Sequence, residues 1–234
     1  MKKFHTVLLD PPWPERGGGK IKRGADRHYP TLKPREMVPV IKGCPFWDGI
    51  EDNAHMYMFA TNNYLPDALW LMGELGFTYV TKLSWIKTVP EERWNKKRYK
   101  EFMKLAVEEG IDYAVMRMVI RHGGMGQYFR GQDEILLFGR RGKGKHEDVF
   151  NKNPEMFGRK LLTTTFLAPA TPRHSEKPQL TFDIIEQRSK GPYLELFARE
   201  SGREGWVQWG NEVTSWHSEL EEETGEVSQP EGEE

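Results

Sequence analysis

Short continuous apolar runs mark the predicted strands of this chain, and amphipathic segments between them predict helices. The predicted strands cover residues 6–9, 56–60, 79–86, 134–138, 161–166 and 193–198. A continuous run, unlike an alternating one, indicates a strand that is covered on both faces. Helices are predicted at 178–188 and at 64–75, the latter with an apolar stripe of Leu65, Leu69, Met72 and Leu75. This alternation predicts an α/β fold with a doubly wound, mostly parallel sheet.

Two regions interrupt this alternation. Residues 15–28 are rich in glycine and basic side chains, which predicts an exposed loop. Residues 88–122 form a predicted helical insertion, with one helix before Gly110 and a shorter one after it. We therefore predict one domain over residues 1–216 and an acidic disordered tail over 217–234. The insertion is interpreted either as a target-recognition element or as a hairpin that makes the contact in a homodimer.

Composition and charge narrow the functional classes. The 234 residues contain no apolar stretch of about 18 residues, so no membrane span is predicted and we expect a cytoplasmic protein. One cysteine and seven scattered histidines predict no metal site. The tail holds eight acidic residues and no Lys or Arg, which leaves 34 basic and 27 acidic residues elsewhere. A body charge of about +7 suits a nucleic-acid partner, for which the tail is a hypothetical competitor.

The tetrapeptide Asp10-Pro11-Pro12-Trp13 directly follows the first predicted strand. It lies where ligands bind in open α/β sheets, beyond the carboxyl ends of the strands. The Asp10 carboxylate and the Pro11 carbonyl are two acceptors for the two N–H groups of an exocyclic amine. Both prolines fix φ and lack an amide donor, and Trp13 offers a flat face for stacking an extruded base. The motif therefore predicts the catalytic corner of an amine methyltransferase.

Further motifs accompany the tetrapeptide in a fixed order. They are the segments at residues 29–32, 59–62, 84–87, 126–130, 174–178, 194–199, 205–206 and 209–212. With these motifs the chain resembles the MT-A70 family of S-adenosylmethionine-dependent N6-adenine methyltransferases, and its compactness resembles the bacterial and phage members. The resemblance implies a Rossmann-like class I methyltransferase fold in a permuted motif order. It also implies S-adenosylmethionine as the cofactor, with S-adenosylhomocysteine as the product.

The resemblance assigns roles to individual residues. Lys177 is expected to pair with the methionine carboxylate of the cofactor and Glu195 to bind its ribose, and Asp10 lies near its α-amino group. Further cofactor contacts are expected at Arg199, Asn211 and Glu212. Expected contacts with the target nucleic acid are Tyr29, Lys87, Tyr128, Phe129 and Arg130. Taken alone, Lys177 would be interpreted as an ordinary exposed lysine near a helix cap. Tyr29 is about as typical of a packing tyrosine as of a residue that contacts the target base.

Three functions remain open on these grounds, and methylation of a glutamine or of a small-molecule amine is a weaker fourth. The first is methyl transfer to the N6 amine of adenine in DNA, which the compact architecture favours. The second is the same reaction on RNA. The third is a catalytically silent nucleic-acid-binding subunit, which is less favoured because Asp10 and Trp13 are both retained.

Overall fold

A computed structural model describes residues 2–14, 31–121, 128–129, 131–143, 162–171, 176–211 and 213. Within these residues the strands are β1 (Phe4–Leu9), β2 (Ile50–Ala60), β3 (Thr78–Thr88), β4 (Asp133–Arg141), β5 (Thr165–Pro169), β6 (Tyr193–Leu196) and β7 (Trp206–Trp209). The helices are α1 (Pro34–Lys42), α2 (Leu65–Glu74), α3 (Lys96–Glu108), α4 (Ile111–Ala114) and α5 (Gln179–Arg188). A π-helical turn, Val115–Val119, continues α4.

The strands form one seven-stranded sheet in the order β5-β3-β4-β2-β1-β6-β7. All neighbours are parallel except at β4, which runs antiparallel to both β2 and β3. Because β4 is reversed, its first residues lie at the edge where β1, β2, β3 and β6 end. The predicted mostly parallel α/β sheet is confirmed, and its architecture is Rossmann-like.

Both faces of the central strands are buried, as continuous apolar runs predict. In β1, Val7 and Leu9 face one core cluster, which also contains Met37 of α1 and Met72 of α2. Leu8 faces the opposite cluster. That second cluster is formed with residues of α5 and β7, namely Phe182, Ile184, Ile185 and Trp206. The sheet is therefore sandwiched between helices on its two faces.

Some predicted boundaries and faces were wrong. The strand that was predicted over residues 193–198 ends at Leu196. It ends there because Phe197 adopts φ 64°, a left-handed conformation that a non-glycine residue rarely takes. In α2, Leu69 is 39% exposed and Leu71 is fully buried, so the helix presents a face shifted from the predicted stripe. Neither α1 nor β7 was predicted: α1 carries Pro39 in its interior, which argues against a helix, and β7 is only four residues long.

The predicted insertion is a helical hairpin between β3 and β4. Its two ends are joined by a bridge between Thr88 and Ile120 and by the hydrogen bond from the Val89 amide to the Val119 carbonyl (2.8 Å). Inside the hairpin, Arg98 donates to the Met118 carbonyl (2.8 Å). These contacts fix the hairpin to the end of β3. No helix within the described residues is long and apolar enough to cross a membrane.

Candidate active site

The tetrapeptide begins where β1 leaves the sheet. The Asp10 amide still donates to the Leu196 carbonyl of β6 (3.4 Å), and the chain then turns, with the Trp13 amide donating to the Pro11 carbonyl (2.8 Å). The Pro12 carbonyl accepts from the Leu32 amide (3.0 Å), which ties the turn to the segment before α1. A carbonyl oxygen has two lone pairs, so the Pro11 carbonyl retains acceptor capacity. The placement of Asp10 at the carboxyl end of β1 is as predicted.

Trp13 is placed differently from the expectation. Its indole is 6% exposed, stacks on Tyr64 with centroids 5.4 Å apart, and donates Nε1–H to the Phe59 carbonyl (2.9 Å). A ring that is buried in the core offers almost no open face to an extruded base. The expected stacking role is therefore corrected: in this structure Trp13 anchors the turn that carries Asp10.

Four charged side chains form a chain of ion pairs at this edge of the sheet. The Lys177 ammonium lies 2.8 Å from Asp10 Oδ2 and 3.3 Å from Glu134 Oε2. The other oxygen of Glu134 lies 2.5 Å from Lys87 Nζ. Lys177 also lies over the ring of Phe59, 4.6 Å from its centroid. Its side chain is only 9% exposed, so this cluster is largely removed from water.

Burial and mutual attraction set the protonation of the cluster. Burial raises the pKa of Asp10 above its ordinary value, although Lys177 opposes the rise. Burial would also raise the pKa of Glu134, but Lys177 and Lys87 together hold it below its ordinary value. Burial lowers the pKa of Lys177, but the Asp10 and Glu134 carboxylates outweigh it and hold that pKa above the ordinary range. The cluster thus holds a protonated lysine between two carboxyl groups, and the pKa values of these two groups shift in opposite directions.

A cavity of about 510 Å³ opens beside this cluster. Its lining combines residues at the ends of β1 and β6, the start of α5 and the loop before β7. They include Asp10, Phe59, Lys177, Glu195, Phe197, Arg199, Gly202, Arg203 and Gln208. The volume lies within the ~300–1,000 Å³ typical of small-molecule sites. Asp10, Lys177, Glu195 and Arg199, which were predicted from distant parts of the sequence, therefore share one cavity.

Glu195 is the second notable carboxylate of the cavity. It lies in β6, and its Oε2 accepts from Gln208 Nε2 of the neighbouring strand β7 (2.6 Å). Burial raises the pKa of Glu195 to about 7, with Asp10 adding to the rise and the Gln208 hydrogen bond opposing it. A carboxylate in such a position is costly unless hydroxyl or amide donors satisfy it. The site therefore favours a ligand that brings hydroxyl groups.

The remaining predicted residues lie in several places. Lys87 is at the end of β3 and pairs with Glu134, so its ammonium is engaged within the protein. Tyr128 and Phe129 are 91% and 90% exposed. Asn211 lies in the exposed turn after β7 and does not line the cavity, which corrects its assignment. Three predicted residues lie outside the described part of the chain: Tyr29, Arg130 and Glu212.

Sequence reasoning missed Glu134 and Gln208. Glu134 lies at the start of β4, and because that strand is antiparallel its first residues meet the carboxyl ends of β2 and β3. The signal was the acidic pair Asp133-Glu134 directly before the run Ile135–Phe138, since a carboxylate next to a buried strand needs a partner. Gln208 was missed because β7 itself was not predicted.

The chemistry of this lining fits S-adenosylmethionine. Glu195 with Gln208 presents an acceptor and an amide to ribose hydroxyls. Lys177 offers a positive charge for a carboxylate and Asp10 a negative charge for an amino group. Phe182 and Phe197 supply apolar lining at the same cavity. These residues would hold the ribose and the amino-acid end of the cofactor.

Comparison with known proteins gives one family. The model of the MT-A70 family matches residues 92–212, which is just over half of the 234-residue chain. The match includes Glu134, Lys177 and Glu195, and it begins after the Asp10–Trp13 tetrapeptide. A comparison with curated proteins gives no match. On the extent of this family match, the chain belongs to the MT-A70 family of S-adenosylmethionine-dependent methyltransferases.

Proposed function

We propose that this protein transfers a methyl group from S-adenosylmethionine to the N6 amine of adenine in nucleic acid, with DNA favoured over RNA. The observation that carries the proposal is the position of Asp10. Its carboxylate lines the same cavity as Lys177 and Glu195, and the Pro11 carbonyl follows it directly in the chain. One acceptor for an amine, the Asp10 carboxylate, thus lines a cavity that fits the methyl donor, and the Pro11 carbonyl would be the second.

An exocyclic amine is a weak nucleophile because its lone pair is delocalised into the ring. The Asp10 carboxylate would accept one N–H of this amine and the Pro11 carbonyl the other, which favours a pyramidal nitrogen with a localised lone pair. The raised pKa of Asp10 makes its carboxylate a better acceptor for the proton that the nitrogen must lose. Lys177 holds the carboxylate in place, and Glu134 in turn holds Lys177.

The cofactor half of the proposal is supported by other residues that line the same cavity. When bound, S-adenosylmethionine supplies a methyl group that is electrophilic because it is attached to a positively charged sulfur. Glu195 would accept hydrogen bonds from the ribose hydroxyls, and Arg199 lines the cavity near Asp10. Lys177 would attract the methionine carboxylate while it remains between Asp10 and Glu134. These residues would hold donor and acceptor side by side, which is a large part of the catalysis of such a transfer.

The proposal that the substrate is a nucleic acid is supported by the charge of the chain and by exposed aromatic rings. Without the tail the chain carries a net charge of about +7, which suits a phosphate backbone. Tyr128 and Phe129 are almost fully exposed, so their rings are free to stack on bases of an opened strand. The preference for DNA rests on the resemblance to compact bacterial and phage members.

The test is transfer of a labelled methyl group to DNA and RNA of matched sequence, followed by nucleoside identification. We expect label in N6-methyladenine from DNA. Asp10→Asn should lower the rate at least about a hundredfold while S-adenosylhomocysteine still binds. Asp48→Asn, in a turn outside the cavity, is the matched control and should leave the rate unchanged.

Each contrary result removes a defined part of the proposal. Normal methylation by Asp10→Asn refutes the role of the tetrapeptide. Label on RNA alone refutes the choice of polymer, and label on another atom refutes N6 as the target. If the wild-type protein binds nucleic acid and transfers no methyl group, the chain is a silent subunit of the family.

A further inference from the structure

The parallel strands β6 and β7 bring the side chains of Glu195 and Gln208 together. The two residues are partners in the register of these strands, and both line the candidate cofactor cavity. Gln208 is only 7% exposed, so its side-chain amide needs hydrogen-bond partners within the protein or in a ligand. The partners that it has in the protein therefore indicate what this amide does.

Two contacts hold the two ends of the Gln208 amide. Its Nε2 donates to Glu195 Oε2 (2.6 Å), and its Oε1 accepts from the backbone amide of Arg203 (3.2 Å). The first contact is short, as is typical of a hydrogen bond to an ionised carboxylate. Gln208 thus connects the carboxylate of the cavity to the loop that precedes β7.

The Arg203 amide determines which end of Gln208 faces Glu195. A glutamine amide can rotate by half a turn, which exchanges the positions of its oxygen and its nitrogen. A backbone N–H is a donor at every pH, so the exchanged orientation would place two donors against each other at Arg203. Gln208 is therefore held with its donor toward Glu195, whatever the protonation state of that carboxyl group.

The loop that carries Arg203 is itself attached to α5. The Arg203 guanidinium donates to Gln179 Oε1 (2.7 Å) and lies over the ring of Phe182, 3.7 Å from its centroid. Both of these residues belong to α5 and line the same cavity. The backbone amide that orients Gln208 consequently has a defined place in the cavity wall.

A donor that cannot be exchanged for an acceptor favours the ionised form of Glu195. Burial raises the pKa of Glu195 to about 7, and the Gln208 hydrogen bond opposes this rise. Arg203 and Lys177 also favour the ionised form, whereas the charge of Asp10 opposes it. The other charged residues that line the cavity are Glu134's neighbour-independent set Glu176, Arg199, Glu200 and Glu204.

The contact with Gln208 occupies one oxygen of the carboxylate and leaves the other for a ligand. Gln208 binds Oε2, and no residue in the described part of the chain donates a hydrogen bond to Oε1. We propose that Gln208 is a positioning residue, which keeps Glu195 in the ionised, acceptor form that binds the ribose hydroxyls. This proposal rests on the proposed cofactor, and in it Gln208 acts through Glu195.

The test is calorimetric binding of S-adenosylhomocysteine to Gln208→Met between pH 6 and 9.5. Methionine keeps the approximate length of the side chain and removes both contacts. The midpoint of the pH dependence should rise by about one unit, because the carboxylate loses a donor. The affinity should then fall about fivefold at pH 7 and hardly at all at pH 9.5. Gln187→Met, on α5 outside the cavity lining, is the matched control and should leave the pH dependence unchanged.

Two further measurements separate positioning from a merely structural role. In the ligand-free protein, an NMR titration of the carboxyl carbon should show the same increase in the pKa of Glu195. The double variant Glu195→Gln/Gln208→Met should bind S-adenosylhomocysteine as well as Glu195→Gln alone, because the effect of Gln208 passes through Glu195. Gln208→Asn, whose shorter amide cannot reach both partners, should shift the pH midpoint in the same direction and serves as the second variant if Gln208→Met does not fold.

A loss of affinity that is equal at every pH, with an unchanged pKa of Glu195, overturns the proposal, because it indicates packing or a direct contact with the ligand. An additional loss in the double variant overturns it as well. If the wild type binds no S-adenosylhomocysteine, the proposed cofactor is wrong. The ligand-free titration then still decides whether Gln208 holds Glu195 in its ionised form.

Discussion

Removal of Lys177 is expected to be among the most destabilising single changes at the candidate site. Lys177 lies 2.8 Å from Asp10 and 3.3 Å from Glu134, so the two carboxylates are within about 6 Å of each other. In Lys177→Met the apolar volume is approximately kept and the positive charge between them is lost. At an effective dielectric constant of about 20, two like charges at this separation repel by about 3 kcal/mol. Loss of one partner of a buried ion pair costs a similar ~3–5 kcal/mol.

The penalty should depend on pH in a defined direction. Without Lys177 the folded-state pKa of Asp10 rises further above its unfolded value. A carboxyl group with a raised folded pKa stabilises the fold when protonated, and this stability is lost as the pH rises through that pKa. Urea denaturation should therefore give a larger difference between variant and wild type at pH 8 than at pH 5.

A matched control is available in the same cluster. Lys87 contacts Glu134 alone among these carboxylates and its side chain is 29% exposed, so Lys87→Met should cost only about 1 kcal/mol. The double variant Lys177→Met/Asp10→Asn should recover part of the loss, because it removes one of the two like charges. Equal costs for Lys177→Met and Lys87→Met, or a cost that does not change with pH, would refute this electrostatic account.

Three further predictions concern burial at single positions. Burial raises the pKa of Glu195 to about 7, and its ionised form is the proposed acceptor for ribose hydroxyls. Calorimetry should therefore show S-adenosylhomocysteine binding about tenfold more tightly at pH 8 than at pH 6, and Glu195→Gln should abolish this dependence. Trp13→Ala should lower the free energy of unfolding by about 3–5 kcal/mol. Trp13→Phe should lower it much less, because a phenylalanine ring can still stack on Tyr64. Equal losses of the two variants in urea denaturation would contradict the anchoring role. Burial raises the pKa of Cys44 to about 11, so a colorimetric thiol reagent at pH 8 should modify the native protein at least about a hundredfold more slowly than the urea-unfolded chain.

The main architecture and part of the candidate site could be predicted from the sequence alone. Continuous apolar runs such as residues 6–9 and 56–60 can be satisfied only by strands covered on both faces, so a doubly wound sheet followed from them. The position of Asp10 followed as well, because two prolines directly after a strand end its hydrogen-bond ladder. Motif order identified Lys177 and Glu195, which the structure brings to the same cavity.

Tertiary structure alone decided how these groups are paired. The sequence contains no signal for the antiparallel direction of β4, since that direction depends on which strands it joins. It is this reversal that brings Glu134 to the carboxyl edge of the sheet and into contact with Lys177 and Lys87. Trp13 was misjudged for the same reason: whether an aromatic ring is exposed or buried depends on what packs against it, and here Tyr64 covers it. The local pattern of apolar and polar residues indicates where a strand or helix forms. Which side chains it meets across the sheet depends on how the elements pack together.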